Sequence, residues 1–370
     1  MSRNKGIFID QICALRKKSL RNRKKREANK AIAAWIEEDR LISGPGQALV
    51  IIMNSIGCEW ARGKEGGCSM CGYSNDTIED ITADDLIQQI DDVLSRFSGK
   101  KFQAVKLFNS GSFLDEKEIP LKAQEKIMQL INSLSDVTEI IIESRPEYVS
   151  DLVLQRIQNQ LQGKVLEIGI GLESSNDFIR INNINKGFLL SDFQKAVKIA
   201  IKNNARVKSY LLFKPPFLTE KEAIEDMIHS VLESIKAGAR SISINPLNIQ
   251  GGTLVFELWN NNLYRSPWFW SLREVLQTLW DKIKAEGLEK NVDRILSDPS
   301  GAGSNRGIHN CKLCDKDFIK ALKRYNLSQN PAELNINICQ CFKLWEEFLS
   351  YEVASFDQSL SMLEYGKKFL

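Results

Sequence analysis

The stretch GCEWARGKEGGCSMCGY, residues 57–73, decides how the rest of this sequence is read. It follows residues 48–53, ALVIIM, a continuous apolar run of strand length,. Its cysteines, Cys58, Cys68 and Cys71, are spaced C-x9-C-x2-C. Three thiolates in one loop hold three irons of a four-iron cluster and leave the fourth iron open to a small chelating ligand. The alternatives are a structural zinc site and buried free thiols. Structural zinc is normally closed by four ligands, and no fourth cysteine lies close by in the sequence. Gly66, Gly67 and Gly72 let such a loop wrap tightly, because glycine tolerates backbone angles closed to other residues,.

Outward from that loop, strand and helix signals alternate. Residues 104–108 (AVKLF), 139–144 (EIIIES), 165–172 (VLEIGIGL), 207–213 (VKSYLLF) and 241–245 (SISIN) read as further strands,. Helices are expected from Thr82, where Asp85 completes a capping box, and over residues 120–134,. Others are expected from about Ser150, over 191–203 and over 219–237. Six strand-helix units in a row predict an α/β fold with a parallel sheet and right-handed crossovers. Six units suit an open partial (β/α)6 barrel better than a closed eight-fold one, with the ligand site at the C-terminal strand ends. The expected division is a basic N-terminal helical arm over 1–45, the barrel over 46–250, and a mainly helical C-terminal extension over 251–370.

Composition narrows the chemistry. Of 370 residues 43% are apolar, ample for a large core, and no run of eighteen apolar residues suggests a membrane span,. No secretory signal is visible at the N-terminus, so a soluble, cytoplasmic protein is expected. Only two histidines occur, His229 and His309, a short supply for histidine-based hydrolases,. Residues 16–30, RKKSLRNRKKREANK, carry a net +8 and leave −5 for the rest of a protein whose total is +3. A basic arm on a mildly acidic body predicts contact with a nucleic-acid backbone; a solvated terminal helix is the plain alternative.

A second cysteine group, Cys311-x2-Cys314 and Cys339-x-Cys341, matches a four-cysteine zinc site that pins the extension,. A second iron–sulfur cluster or unligated thiols are the alternatives, and His309 stands near enough to replace one ligand. Trp268, Phe269, Trp270 and Trp280 are read as core, with base stacking as the rival.

A cysteine loop after the first strand of an open six-unit barrel resembles the radical S-adenosylmethionine (SAM) superfamily. Its nine-residue gap departs from the commonest three-residue form and is similar to the branch that includes the Elongator catalytic subunit. The ordered blocks LFNSGSFLD, ESRPEYV, GIGLESSND, INKGF, YLLFKPPFLTE, INPLNIQGGTLVFELW and HNCKLCD extend the likeness over residues 48–345,. Within the superfamily they resemble the archaeosine synthase beta-subunit family.

That resemblance implies a lyase of tRNA modification that uses a [4Fe-4S] cluster on Cys58, Cys68 and Cys71 and SAM. A 5′-deoxyadenosyl radical would abstract hydrogen from the lysine of a lysine-bearing 7-deazaguanine in the D-arm. Breaking the C–N bond of that lysine's side chain would leave archaeosine. Partners implied are tRNA, a lysine-transferring synthase subunit and a low-potential electron donor. Cofactor contacts are expected from Asn109, Ser110, Gly111 and Ser112 at the SAM amino group and from Met70 beside adenine. Glu173 is expected at the ribose, and Glu143 or Arg145 at the methionyl end. A salt bridge between Arg145 and an acid is the structural alternative. Lys186, Lys214 and Asn245 are the substrate-side candidates. Two rivals remain: another radical SAM reaction on RNA, such as methylthiolation, and a zinc-stabilised tRNA-binding protein without catalysis.

Overall fold

A computed structural model describes residues 6–21 and 26–352. Its centre is one eight-stranded sheet in sequential order, β1 (Ala33–Leu41), β2 (Gly44–Ile52), β3 (Ala104–Phe108), β4 (Glu139–Glu143), β5 (Val165–Glu173), β6 (Arg206–Phe213), β7 (Ser241–Pro246) and β8 (Arg294–Leu296). All neighbours pair in parallel except the β1–β2 hairpin, which turns through Ile42 and Ser43. The six expected strands are all present. Two were unforeseen. β1 reads AAWIEEDRL, with three consecutive acids that a burial pattern does not flag, and β8 is only three residues long,. The sheet therefore draws strands from both sides of residues 46–250.

The crossover helices are α3 (Ala83–Arg96), α4 (Leu121–Asn132), α5 (Asp151–Gln158), α6 (Leu190–Lys202) and α7 (Glu220–Ala237); α1 (Ile9–Leu20) and the one-turn α2 (Glu59–Arg62) precede them. Local chemistry sets their ends. Thr82 and Asp85 exchange side-chain and backbone hydrogen bonds at the start of α3, and Thr219 and Glu222 do the same for α7,. Gly238, at φ +108°, stops α7 where a side chain would be strained,.

Alternation along the strands divides the sheet into two faces. Leu49, Ile51, Val105, Leu107, Ile140 and Ile142 pack outward under the helices, with no more than traces of exposure. The inner face is polar, with Lys106, Glu143, Lys208 and Tyr210 lining a cavity. One end of the barrel is plugged. Arg294 of β8 pairs with Glu139 of β4, meets Glu167 of β5 at 2.6 Å and donates to the Arg40 carbonyl of β1 at 2.6 Å. Burial pushes the Glu167 carboxyl up, but Arg294 and Lys208 outweigh it and hold its pKa below the usual value. This network ties the sheet's two open edges together; removing one partner would strand buried charge.

The extension adds α8 (Leu254–Asn260), α9 (Phe269–Ala285), α10 (Asp315–Ser328) and α11 (Cys341–Tyr351). α10 closes the seam between β1 and β8. Arg40 donates to the Leu327 carbonyl at 3.1 Å, and Asn326 exchanges two hydrogen bonds with the Ser297 backbone at 2.9 and 2.7 Å. Trp268, Phe269 and Trp270 are buried, so base stacking on them is excluded; Trp280 is partly buried and donates to the Tyr325 hydroxyl at 3.1 Å. No described helix is long and apolar enough to cross a membrane.

Candidate active site

A cavity of about 720 Å³ opens at the C-terminal end of the parallel strands and continues into the barrel. Cys58, Cys68 and Cys71 all line it, together with Met70, Ser110 and Gly111. Glu143, Arg145, Glu173, Lys186 and Asn245 line it too. One loop after β2, the loops after β3 and β4 and the end of β5 thus converge on one mouth.

The cysteine loop is held by hydrogen bonds more than by apolar contact. Cys58 N–H donates to the Ser110 carbonyl at 3.1 Å. The Glu118 carboxylate accepts from Glu59 N–H at 2.7 Å and from Ser112 N–H, clamping two loops together. Asn185 donates to the carbonyls of Glu65 and Gly67 at 3.0 and 2.8 Å, and the Trp60 indole donates back to the Asn185 carbonyl at 2.7 Å. Gly66 and Gly67 take positive φ of 71° and 87° here, and any side chain at Gly67 would run into Ala61,. Arg16 of α1 is buried beneath the loop and donates to the carbonyls of Gly66 at 3.0 Å and Cys71 at 2.5 Å, and to Ser74.

The electrostatics suit ligand binding. Burial, then the neighbouring Glu118, pushes the Cys58 thiol up to about 11. Burial raises Cys68 and Cys71 as well, opposed by Lys186 and Arg16 respectively. Such thiols ionise when a cationic metal centre sits among them. Lys186 pairs with Glu173 at 2.7 Å; burial opposes its charge, but Glu173 and Cys68 prevail and hold its pKa above the usual lysine value. The pair stands over Gly171, where a Cβ would come within 2.6 Å of both charged groups. Ser110 and Glu173 sit at φ +57° and +66°, so backbone strain of about 1–3 kcal/mol each collects at the mouth,.

The second cysteine group is built differently. The Sγ atoms of Cys311, Cys314, Cys339 and Cys341 all lie within 4.8 Å of one another. Neighbouring pairs are 3.5–3.6 Å apart. Four sulfurs about 2.3 Å from one tetrahedral ion stand about 3.8 Å apart, so the set is close to single-ion spacing. Asn310 donates to Cys314 at 3.6 Å and the Trp270 indole to Cys341 at 3.3 Å. Phe318 and Phe342 meet the Trp270 ring edge-on at 4.6 and 5.0 Å. His309 is not among the four; its Nδ1 lies 2.8 Å from the Gly307 carbonyl. None of the four lines the cavity.

No family model matches the sequence. The protein is 39% identical over 325 residues to archaeosine synthase subunit beta of Methanosarcina acetivorans, across 88% of its own length and 91% of that relative. It is 38% identical over 316 residues to archaeosine synthase subunit beta of Thermococcus kodakarensis, across 84% and 94%. The protein belongs to the archaeosine synthase subunit beta family. Among solved structures it is similar to the archaeal Methanocaldococcus infernus Elp3 with an N-terminal deletion, at TM-score 0.46 and 17% identity, over 66% of its own length and 59% of that structure.

In this family member several expected site residues fall elsewhere. Lys214 does not reach the cavity. Its ammonium is buried against Glu220 at 2.7 Å and Glu352 at 3.2 Å, two carboxylates that hold it outside the barrel, and its backbone takes φ +61° just past the end of β6. Asn109 and Ser112 are buried behind the lip that Ser110 and Gly111 form. Ser112 Oγ accepts from Arg145 N–H at 3.1 Å, and Asn109 offers its carbonyl to Ser55 at 2.6 Å. Arg145 lines the cavity yet is committed to Glu147 at 2.7 Å and to the Lys186 carbonyl at 2.9 Å, with its guanidinium over the Trp60 ring. The basic arm is corrected in part. Its first turns are α1, with Arg16 under the cysteine loop; Arg26 pairs with Asp76 at 2.5 Å; residues 22–25 lie outside the described set.

Sequence reading missed Glu118, Asn185, Lys208 and Tyr210. Glu118 and Asn185 act through distant partners, which no local spacing announces. Lys208 and Tyr210 had a signal, since they alternate with outward apolar residues in VKSYLLF,.

Proposed function

We propose that this protein is a radical SAM lyase acting on tRNA, which cleaves a C–N bond in the lysine side chain of a lysine-bearing 7-deazaguanine to leave archaeosine. The observation that carries the reading is three thiols of one loop facing a large cavity at the mouth of a parallel half-barrel. They fit a cluster better than one ion. The C-terminal four are the only group of three or more potential ligands among the described residues whose donor atoms lie within 4.8 Å, so the mouth thiols are spread more widely. Three thiols also leave one iron open. Cys58, Cys68 and Cys71 would hold the cluster, and with SAM bound that centre supplies hydrogen-atom abstraction from carbon.

The protein's own groups do the rest. The Ser110 and Gly111 backbone and the paired Glu173 and Lys186 bind and orient SAM, and Met70 packs at the mouth. Asn245, at the end of β7, faces the cavity from the substrate side. The enclosing half-barrel keeps other hydrogen donors away from the reactive carbon. The four-cysteine set holds a structural zinc ion,. The relatives' name, archaeosine synthase subunit beta, supports a partner subunit and a tRNA substrate; cleaving SAM at a cluster would further require a low-potential electron donor. Eight unpaired cysteines fit a reducing, cytoplasmic setting,.

The test is a metal count on anaerobically purified protein, followed by product analysis. About four irons and one zinc per molecule are expected, with 5′-deoxyadenosine formed under reduction and archaeosine in modified tRNA. Zinc in both sites, with no SAM cleavage after reconstitution, would overturn the reading in favour of a tRNA-binding protein.

A further inference from the structure

The cavity reaches well below the cysteine mouth, and its inner wall carries charges that the cofactor residues leave unused. Most charges lining it are already engaged. Lys106 lies 2.8 Å from both Glu37 and Asp39, Glu173 holds Lys186, and Arg145 holds Glu147. Two are not. Lys208 is 5% exposed, and its nearest acid is Glu167 at 3.5 Å, whose oxygens are taken by Arg294 and Ser241. Among the described residues no side chain or carbonyl hydrogen-bonds the Lys208 ammonium. Glu143 lines the same wall with neither a hydrogen bond nor an ion pair to its carboxyl among those residues.

The strand register brings these two onto one face. Glu143 of β4 stands opposite Gly169 of β5, and Gly169 stands opposite Lys208 of β6. Two strand spacings separate them, roughly 10 Å between backbones, with no side chain between. The Tyr210 ring leans into that gap, its hydroxyl 2.9 Å from where a Cβ on Gly169 would stand, and that hydroxyl also lacks a partner among the described residues. A cation held only by a long ion pair, a carboxyl without an ion pair and a hydroxyl without a hydrogen bond among the described residues therefore face one cavity.

Polar groups that converge on a ligand-sized cavity are what orients a bound molecule. An anion alone would be opposed by Glu143, and a cation alone by Lys208. We propose that Lys208, Tyr210 and Glu143 form a zwitterion subsite that takes an α-amino-acid end group, its carboxylate on Lys208 and Tyr210 and its ammonium on Glu143. Lys208 stands five residues inside the end of β6, about 16 Å down the strand, while Glu143 ends β4 nearer the mouth, so the methionyl end of SAM is the rival occupant that the test must exclude,. The inference rests on the lyase reading, since a substrate cut at the C–N bond of its lysine side chain presents its free α-amino and α-carboxylate groups at the far end. It also moves Glu143 from the cofactor to the substrate.

Equilibrium dialysis of the full-length, anaerobically reconstituted protein with radiolabelled lysine tests this, with SAM present and absent. Saturable binding undisturbed by SAM is expected. Lysinamide, lacking the carboxylate, and 6-aminohexanoate, lacking the α-amine, should compete at least about 10-fold more weakly. Lys208→Met should weaken lysine by about 10-fold and erase the preference over lysinamide, and Tyr210→Phe should weaken it by about 3-fold. Circular dichroism and iron content check that both variants fold; if Lys208→Met does not, Tyr210→Phe and the competitor series decide. No saturable binding, equal competition by lysinamide, displacement by SAM, or a folded Lys208→Met that binds like wild type each overturns the subsite. SAM cleavage read in the same preparation separates the two claims, because loss of cleavage with intact lysine discrimination would sink the lyase reading alone.

Discussion

The two cysteine groups use the same type of residue for opposite ends. Cys58, Cys68 and Cys71 face a cavity on a loop held by glycines, carbonyls and the remote partners Arg16, Glu118 and Asn185. Cys311, Cys314, Cys339 and Cys341 close on one another within 4.8 Å, packed by Trp270, Phe318 and Phe342. The first set is incomplete and faces a cavity; the second is complete and closes on itself, with Cys314 buried and the other three partly exposed. An incomplete thiol set leaves a coordination position for chemistry, while a complete one converts metal affinity into fold stability. The second still touches the site indirectly. Cys314 caps α10, the helix that carries Lys323, Asn326 and Leu327 to the cavity wall.

The sharpest break of that contrast is substitution of Cys58, Cys68 and Cys71 by Ala. SAM cleavage should fall below detection and iron vanish, while one zinc per molecule is retained and the melting temperature stays within about 2–4 °C of wild type. Loss of zinc in that variant would mean the two sites are not independent. Cys311→Ser with Cys314→Ser should invert the pattern. Iron is expected to stay after anaerobic reconstitution, zinc to be lost, and the melting temperature to drop by roughly 5–10 °C in a calorimetric scan.

Smaller effects probe how the mouth loop is held. Arg16→Ala removes buried bonds to two loop carbonyls and should leave cysteine spacing unchanged in sequence but loosen it in space. About a 3- to 10-fold faster loss of the cluster's visible absorbance in air is the expected readout, with zinc content unaffected. Gly171→Ala would push on the Glu173–Lys186 pair and should weaken SAM binding by about 3- to 10-fold in isothermal titration,.

A baseline lies outside both groups. Asp226 of α7 accepts from Ser174 at 2.7 Å, and burial raises its pKa to about 6 despite that bond and nearby His229. The native state thus keeps its proton to a higher pH than the unfolded state, which ionises from the ordinary carboxyl range. Stability attributable to this group is present below that range and declines as pH rises to about 6,. Asp226→Asn should flatten that window by about 3 kcal/mol in urea titrations, without changing iron or zinc content,.

Much of this was legible from residue patterns. The six central strands and their helices announced themselves through apolar runs and the Thr82 and Thr219 caps, which are local signals,. That Cys58, Cys68 and Cys71 share one cavity was legible because all three lie on one loop after a strand. β1 was not, because its inward acids Glu37 and Asp39 are stabilised by Lys106 from another strand. Lys214 misled because a lysine at a strand end reads as a site residue until Glu220 and Glu352 are seen around it.

What the order of residues settled was the element sequence, the two cysteine groups and the strand end at which the cavity opens, since each depends on neighbours within a few positions. Folding alone decided which charges face which. Arg294 became a plug, Arg16 a clamp, and Lys208 and Glu143 neighbours across Gly169, because pairing between residues tens to hundreds of positions apart follows from register and twist,.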